Sequence, residues 1–315
     1  MVILTYESII MNLTDITLKN NTLTMDISES NKRKAFDFVK LSELPPKPRH
    51  AGIVEIRGPY YTAVTTNYLQ DLLDMFGDYI DGFKFAGGSQ RLLSVDMVKR
   101  IIHVCHDYDV YVSTGGFIER VIVQGFEAVD RYLAECKSLG FDIVEVSSGL
   151  APIPLEDKVE IVKQVKKHNM KPKPEISMMV DAGAGTHIVG YETNNKLRTL
   201  EDFMKEVEIH LKAGAEIMML ESEGITEDIP RQEWRTDIIK ELDKKFGFNS
   251  FMFEASDPPV FKWYLKQFGS NVNLFIDHSQ IVEFTAWRTQ LWGDIDIWKD
   301  KPISYNKRAR VKGSS

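Results

Sequence analysis

Residues 126–147 read FEAVDRYLAECKSLGFDIVEVS, and this stretch contains the unit from which the fold can be inferred. Apolar residues recur at three- and four-residue spacing over Phe126–Leu139, a pattern typical of an amphipathic helix. Gly140 stands where a helix C-cap favours glycine, and the β-branched run Ile143–Ser147 follows. The stretch therefore predicts a helix that leads through a tight cap into a buried strand.

The same unit recurs along the chain. Strands are predicted at Gly52–Ile56, Gly82–Phe85, Val110–Ser113, Ile143–Ser147, Lys173–Ser177, Ile217–Glu221, Phe251–Glu254 and Val272–Ile276. Helices are predicted at Thr66–Phe76, Val95–His106, Phe126–Leu139, Leu155–Asn169, Thr199–Ala213, Arg231–Phe246 and within Ser256–Gly269. Alternating strands and helices require parallel strands. Eight such units in roughly 250 residues favour an α/β fold of the (β/α)8 TIM-barrel type over an open doubly wound sheet, which stays as the alternative.

Composition narrows the function classes. The chain has 315 residues, is 43% hydrophobic and carries a formal net charge of −7. This apolar fraction argues against disorder, and the acidic balance argues against a nucleic-acid partner. There is no apolar run long enough for a membrane span, and two cysteines form neither a disulfide framework nor a zinc motif. The N-terminal residues lack the pattern of a signal peptide, so we expect a cytoplasmic protein without membrane or nucleic-acid partners.

The two ends differ from the middle of the chain. Residues 1–48 are predicted to form an N-terminal arm or linker, because Pro45, Pro46 and Pro48 favour extended backbone. Residues 49–298 contain the predicted barrel, and residues 299–315 form a basic C-terminal tail. The sequence leaves open whether the chain forms a homo-oligomer.

Acidic residues mark the ends of several predicted strands. Glu145, Glu175, Glu221 and Glu254 occupy equivalent positions in four successive units. The active site of a TIM barrel lies at the C-terminal ends of its strands, where carboxylates at close range repel one another unless a cation lies between them. We therefore expect a site for Mg²⁺. The alternative is that each acid is solvated or pairs with a neighbouring lysine or arginine.

Basic and small residues at the same strand ends predict an anionic ligand. Arg57 offers a bidentate guanidinium, and Lys84 offers an ammonium for binding or proton transfer. Glycine pairs let backbone amides approach an oxyanion, and a histidine at the last strand end can titrate near neutrality. The predicted substrate-binding and proton-transfer residues thus include Gly87, Gly88, Gly115, Gly116, Ser147, Ser148 and His278. The glycine-rich loop at residues 180–186 is a further candidate, as a lid or a phosphate-binding loop.

Several of these segments resemble the phosphosulfolactate synthase family. The resemblance rests on residues 84–88 (KFAGG), 115–119 (GGFIE), 135–149 (ECKSLGFDIVEVSSG), 253–255 (FEA) and 268–274 (FGSNVNL), and it extends from about residue 49 to 298. The opening residues 55–61 (EIRGPYY) are more similar to the plant heat-stress-associated branch, with its bacterial and fungal relatives, than to the archaeal enzymes.

The resemblance implies a barrel enzyme that adds sulfite to phosphoenolpyruvate with the help of Mg²⁺, the first step of coenzyme M synthesis in methanogens. On this view the substrate is a small phosphorylated carboxylate, bound through Arg57 or Lys84. The metal ligands would be Glu145, Glu175 and Glu221. The catalytic residues would be Lys84, His278 and Glu254.

The chain departs from the family after the fifth strand. Archaeal members carry Gly-Lys-Lys after the glutamate at that point, whereas residues 175–179 read EISMM here. Methionine cannot transfer a proton, so either Lys84 or His278 takes this role, or the branch performs different chemistry on a similar acid. Two other hypotheses stay open. One is a catalytically diverged barrel that acts as a stress-related binding protein, and the other is an aldolase in which Lys84 forms a Schiff base.

Overall fold

A computed structural model describes residues 34–149, 153–178, 198–227 and 229–293. They contain eight strands: β1 (Val54–Arg57), β2 (Gly82–Lys84), β3 (Tyr111–Ser113), β4 (Ile143–Val146), β5 (Lys171–Ile176), β6 (Met218–Leu220), β7 (Phe251–Glu254) and β8 (Leu274–Asp277). The strands pair in chain order, all parallel, and β8 returns to pair with β1. This closed barrel confirms the predicted (β/α)8 fold.

Helices alternate with the strands. They are α1 (Thr66–Phe76), α2 (Val95–His106), α3 (Ile118–Ile122), α4 (Phe126–Leu139), α5 (Leu155–Lys167), α6 (Leu200–Ala213), α7 (Thr236–Phe246), α8 (Pro258–Phe268) and α9 (Ile281–Arg288). Within the described ranges, none of them has the length and apolar character that crossing a bilayer requires.

Local sequence explains several helix ends. The side-chain oxygens of Thr65 and Ser94 accept hydrogen bonds from backbone amides in the first turns of α1 and α2. Gly140 and Gly214 end α4 and α6 in the left-handed region, at φ 101° and 97°, where glycine alone carries no Cβ penalty. These ends agree with the predicted helices to within a residue.

The helix predicted over residues 231–246 is shorter in the structure. A 3-10 turn covers Arg231–Glu233, and α7 begins only at Thr236. Trp234 between them has extended backbone, with φ −53° and ψ 129°, and its ring packs edge-on against Trp263. This packing against the next helix interrupts what periodicity alone presents as one helix.

Alternation along each strand separates the core from the barrel interior. Val54 and Ile56 of β1 belong to the large apolar cluster between the sheet and the helices. Glu55 and Arg57 alternate with them and therefore point into the barrel. A smaller apolar cluster of Met219, Met252 and Phe275 lies inside the barrel. The inward positions nearer the C-terminal ends of the strands are polar.

The chain divides into two compact units, Met1–Leu41 and Ser42–Ser315. In the first, residues 34–41 include a turn in which the Val39 amide donates to the Phe36 carbonyl. Residues 42–48, which the sequence assigned to the arm, belong to the second unit, where the Ser42 amide donates to Thr289 O and Lys47 Nζ donates to Tyr108 O. The predicted basic tail at 299–315 lies outside the described residues.

Candidate active site

A cavity of about 530 Å³ opens at the C-terminal ends of the strands. Its lining combines acids, two basic residues, aromatic rings and small residues: Arg57, Tyr60, Tyr61, Lys84, Ala86, Gly87, Gly116, Glu145, Glu175, Glu221, Glu223, Glu227, Glu254, Ser256 and Phe275. This is the end of the barrel where the sequence predicted a site. Residues 180–186, the candidate lid or phosphate-binding loop, lie outside the described residues.

Three glutamates on the β6 and β7 side form what we call the acid cluster: Glu221, Glu223 and Glu254. One carboxylate oxygen from each lies within 4.8 Å of the others. Glu223 is only 7% exposed, and its Oε2 atom has no hydrogen-bond partner. A buried acceptor without a partner is costly, and a bound cation is one physical means of satisfying it.

The electrostatics of the acid cluster also favour a cation. Burial and the neighbouring Glu254 raise the pKa of Glu223 to about 7. Burial, Glu175 and Glu254 raise the pKa of Glu221 well above its usual value. Beside the cluster, burial and the charge of Glu145 raise the pKa of Glu175 to about 8. These raised pKa values arise because buried carboxylates repel one another. A divalent cation would relieve this repulsion, so the residues present fit a hard ion such as Mg²⁺.

Arg57 connects the acid cluster to the opposite side of the cavity. Its Nη2 atom donates to Glu254 Oε1 at 2.6 Å and to Ser256 Oγ at 3.3 Å, and its Nη1 atom donates to Tyr61 Oη at 3.2 Å. Although burial opposes charge on Glu254, Arg57 lowers the pKa of this carboxyl below its usual value. Part of the guanidinium is thus committed to protein groups, which leaves fewer N–H donors for an anion than the sequence suggested.

Lys84 ends a series of four alternating charges inside the barrel, which we call the interior charge chain: Glu55, Lys173, Glu145 and Lys84. Glu55 Oε2 lies 2.5 Å from Lys173 Nζ. Glu145 Oε2 lies 3.2 Å from Lys173 Nζ, and Glu145 Oε1 lies 2.9 Å from Lys84 Nζ. Although burial opposes charge on Glu145, the two lysines lower its pKa. Glu145 is therefore occupied by two ammonium groups, in contrast to the acid cluster.

Lys84 is placed to meet a ligand. Its ammonium lies 4.2 Å from the centre of the Phe275 ring, at the floor of the cavity. Burial disfavours its charge, but Glu145 and three more distant glutamates raise its pKa above the usual lysine value. Lys84 therefore holds its proton and presents a positive charge to the cavity.

The predicted glycine and serine residues divide into two groups. Gly87 and Gly116 line the cavity, and a Cβ atom on either would lie 2.6 to 2.7 Å from Tyr60 or Ser147. Glycine is needed at both positions because a side chain would collide with these neighbours. The remaining predicted residues, Gly88, Gly115, Ser147 and Ser148, lie outside the cavity lining.

Ser147 has a structural partner. Its hydroxyl donates to Glu119 Oε1 at 2.5 Å, and the same carboxylate oxygen accepts from the Gly149 amide at 3.1 Å. Glu119 thereby fixes the segment after β4. The predicted substrate-binding role of Ser147 stays untested.

His278 lies outside the cavity lining. Its Nδ1 atom lies 2.8 Å from Tyr68 Oη and its Nε2 atom 3.3 Å from Thr62 Oγ1. Burial lowers its pKa below the usual histidine value. Of the two methionines at the positions of the archaeal Lys-Lys pair, Met178 is 1% exposed and belongs to the apolar core, and Met179 lies outside the described residues. Of the two residues predicted to replace the archaeal lysine, the structure thus places Lys84 in the cavity and His278 outside its lining.

Several residues of the cavity lining were not predicted from the sequence, namely Tyr60, Tyr61, Ala86, Glu223, Glu227, Ser256 and Phe275, nor were the buried Glu55 and Lys173 beneath it. Glu55 and Lys173 precede Arg57 and Glu175 by two residues, so strand alternation assigns them to the inward face. Glu223 follows Glu221 by two residues but lies in a turn, where alternation no longer applies. The signal for Glu55 and Lys173 was therefore present in the sequence, whereas the position of Glu223 depends on the turn.

The sequence is similar to that of known proteins of one family. Residues 42–294 match the family model described as (2R)-phospho-3-sulfolactate synthase, ComA. The protein HEAT-STRESS-ASSOCIATED 32 of Arabidopsis thaliana is 32% identical over 260 residues, which cover 80% of this chain and 90% of the plant protein. A phosphosulfolactate synthase of Methanocaldococcus jannaschii is 28% identical over 233 residues, covering 72% of this chain and 88% of the enzyme.

A solved structure supports the fold alone. The carboxyl transferase domain of Rhizobium etli pyruvate carboxylase superposes with a TM-score of 0.51 at 11% identity, covering 80% of this chain and 46% of that one. The family model, in contrast, spans most of the chain and includes every strand of the barrel. The chain therefore belongs to the (2R)-phospho-3-sulfolactate synthase family.

Proposed function

We propose that the protein is a Mg²⁺-dependent lyase that adds sulfite to phosphoenolpyruvate, or performs closely related chemistry on a small phosphorylated carboxylate. One observation carries the proposal. A single cavity holds an acid cluster suited to a divalent cation and, on its other side, the ammonium of Lys84 with the backbone of Gly87 and Gly116. A substrate with two anionic ends can bridge these two regions.

The acid cluster would hold the metal through Glu221, Glu223 and Glu254. Bound there, Mg²⁺ would supply electrostatic stabilisation of negative charge on the substrate carboxylate. This assignment differs from the ligand set expected from the resemblance, because Glu145 is paired with Lys84 and Lys173. Glu175 lies beside the cluster and stays a candidate ligand.

The chain's own residues would bind and orient the substrate. Lys84 and the remaining donors of Arg57 would hold the phosphate or the sulfite. In the reaction, the sulfur lone pair of sulfite forms a bond to the methylene carbon of phosphoenolpyruvate. The electrons of the carbon–carbon double bond move toward the carboxylate, and a proton must then reach the carbon that bears the phosphate.

Lys84 is the proton donor that the geometry supports best. It lines the cavity as an ammonium, whereas His278 faces Thr62 and Tyr68. Met178 is buried in the core and has no proton to give. A lysine on β2 would thus replace the lysine that archaeal members carry after the fifth strand.

The test is product formation by the purified protein. Incubation with phosphoenolpyruvate, sulfite and Mg²⁺ should yield phosphosulfolactate, detected by mass spectrometry. Glu223→Gln and Lys84→Met should each lower the rate by at least about 100-fold, since each removes a charge that acts at the reacting atoms. A Glu208→Gln control, on the surface of α6, should keep the full rate. No product from the unchanged protein at high concentration would overturn the sulfite reaction.

A second function is favoured by the plant relative and by Met178. The plant relative is named for heat stress. This chain has methionine at residue 178, where the archaeal members are expected to carry a lysine. The alternative is a barrel that has lost catalysis and serves as a stress-related binding protein. Under this alternative, Lys84→Met and Glu223→Gln would leave the protein's effect on heat survival of its host unchanged.

A further inference from the structure

Two charged residues below the cavity have no place in the proposed chemistry. Glu55 and Lys173 are both 0% exposed, and neither lines the cavity. Their charged atoms lie 2.5 Å apart, and Ser113 Oγ donates to the second oxygen of Glu55 at 2.6 Å. Breaking a buried ion pair is costly, yet replacing the whole pair by apolar residues is often neutral. Stability alone therefore does not explain why this pair occupies the barrel interior.

The geometry links the pair to Lys84 through one carboxylate. Glu145 is 0% exposed, and its two oxygens face different lysines: Oε1 faces Lys84 at 2.9 Å and Oε2 faces Lys173 at 3.2 Å. Lys173 in turn lies between Glu145 and Glu55. Charges this close in a desolvated interior interact strongly, so each member of the interior charge chain affects the next.

We propose that Lys173 and Glu55 are positioning residues that set how strongly Lys84 attracts an anionic substrate, because Lys173 takes up part of the charge of Glu145. The inference rests on the proposed function in one respect, since it takes Lys84 as a group that binds an anion. Without Lys173, Glu145 would act on Lys84 alone and offset its positive charge more fully. Without the charge of Glu55, Lys173 would add its own positive charge to the anion site.

The two residues of one ion pair should therefore have opposite effects. In Glu55→Gln the interior charge chain gains a net positive charge, and in Lys173→Met it gains a net negative charge. A role confined to packing or stability would move both variants in the same direction. The sign of the change thus separates an electrostatic role from a structural one.

The experiment measures the dissociation constants of phosphoenolpyruvate and of inorganic phosphate by calorimetry, with Mg²⁺ present and at fixed pH and salt. Glu55→Gln should bind about three- to tenfold more tightly than the unchanged chain, and Lys173→Met should bind weaker by a similar factor. The double variant should lie between the unchanged chain and Lys173→Met. Asp81→Asn, which breaks a similarly buried pair with Arg49 at the opposite end of the barrel, should leave both constants unchanged.

Each outcome decides the inference. Shifts of the same sign in both single variants, or constants that do not move, would overturn it. If a single variant fails to fold, the double variant still decides, because it leaves no unpaired buried charge at these two positions: weaker binding supports the inference and unchanged binding overturns it. Product formation is measured separately. Opposite shifts without product refute the proposed function alone, product with constant affinities refutes the inference alone, and an unchanged chain that binds neither probe refutes the inference.

Discussion

The interior charge chain and the acid cluster are neighbours in one barrel, but their charges are arranged in opposite ways. In the interior charge chain, acids and bases alternate, and Glu145 forms ion pairs with both Lys84 and Lys173. In the acid cluster, three carboxylates face one another with Arg57 as the nearby base that contacts Glu254. The first group is compensated from within the protein, whereas in the second only Glu254 has a basic partner, and Glu221 and Glu223 keep raised pKa values.

This difference shows where a ligand belongs. A compensated network is complete without further partners, so its carboxylates are poor metal ligands. An uncompensated group of buried acids raises its own pKa values and binds a cation to relieve the repulsion. The pKa of Glu145 is lowered by its lysines despite burial, whereas burial and neighbouring acids raise that of Glu223 to about 7. The same residue type thus has two roles, set by what surrounds it.

We expect the largest effect from a substitution that interrupts the interior charge chain. Glu145→Gln removes the carboxylate that faces both Lys84 and Lys173, and should lower the free energy of unfolding by about 3–5 kcal/mol, because it leaves buried ammonium charge without its partner. Urea unfolding followed by circular dichroism measures this loss. Glu208→Gln, at an exposed pair with Lys245, should leave the stability unchanged. A Glu145→Gln variant as stable as the unchanged chain would show that the alternating charges are not coupled.

The sequence predicts the helices, the strands and the closed barrel well. Period-3.6 patterns, caps at Thr65 and Ser94 and the glycine at 140 are local signals, so the helices and their order follow from short stretches of chain. The strand count and the closed barrel follow from the same alternation. The sequence also predicted correctly at which end of the barrel the strand-end acids lie, because parallel strands bring their C-terminal ends together.

The sequence does not predict which charged side chains form ion pairs inside the barrel. The sequence offers Glu145, Glu175 and Glu221 as equivalent acids, but contacts across the barrel depend on the relative height of side chains from different strands. Lys173 on β5 is opposite Glu145 in register, and this pairing removes Glu145 from the group of free acids. No local pattern contains that information.

The turn after β8 explains the placement of the histidine. The strand ends at Asp277, and His278 begins a 3-10 turn, where strand alternation no longer applies. The imidazole contacts Thr62 and Tyr68 and lies outside the cavity lining. Position at a strand end is therefore a weak guide to the direction of a side chain when the chain turns directly after the strand.

The second prediction concerns the stabilisation of the folded protein by Mg²⁺ bound at the acid cluster. At a Mg²⁺ concentration of 100 times its dissociation constant, a single site on the folded protein stabilises it by about 2.7 kcal/mol. Glu223→Gln should lose most of this stabilisation because Gln offers no charge to the acid cluster. Thermal unfolding with increasing Mg²⁺ measures the effect, and Glu208→Gln should keep the full response. An equal rise in melting temperature in Glu223→Gln would exclude Glu223 from the cation site.

The smallest effect appears without a cation, in the presence of a chelator, and it depends on pH. The pKa of Glu223 is raised to about 7 in the folded protein, so its contribution to stability is present below its usual pKa and is lost as pH rises through about 7. Near pH 4, below the usual carboxyl pKa, the carboxyl is protonated in both the folded and the unfolded chain, and Glu223→Gln should match the unchanged chain. Near pH 8.5 the unchanged chain carries the repelled charge, and Glu223→Gln should be more stable, by at most about 3 kcal/mol. Urea unfolding at the two pH values measures the difference. A difference that does not grow with pH would mean that Glu223 is already compensated, as Glu145 is, and the contrast between the two groups would disappear.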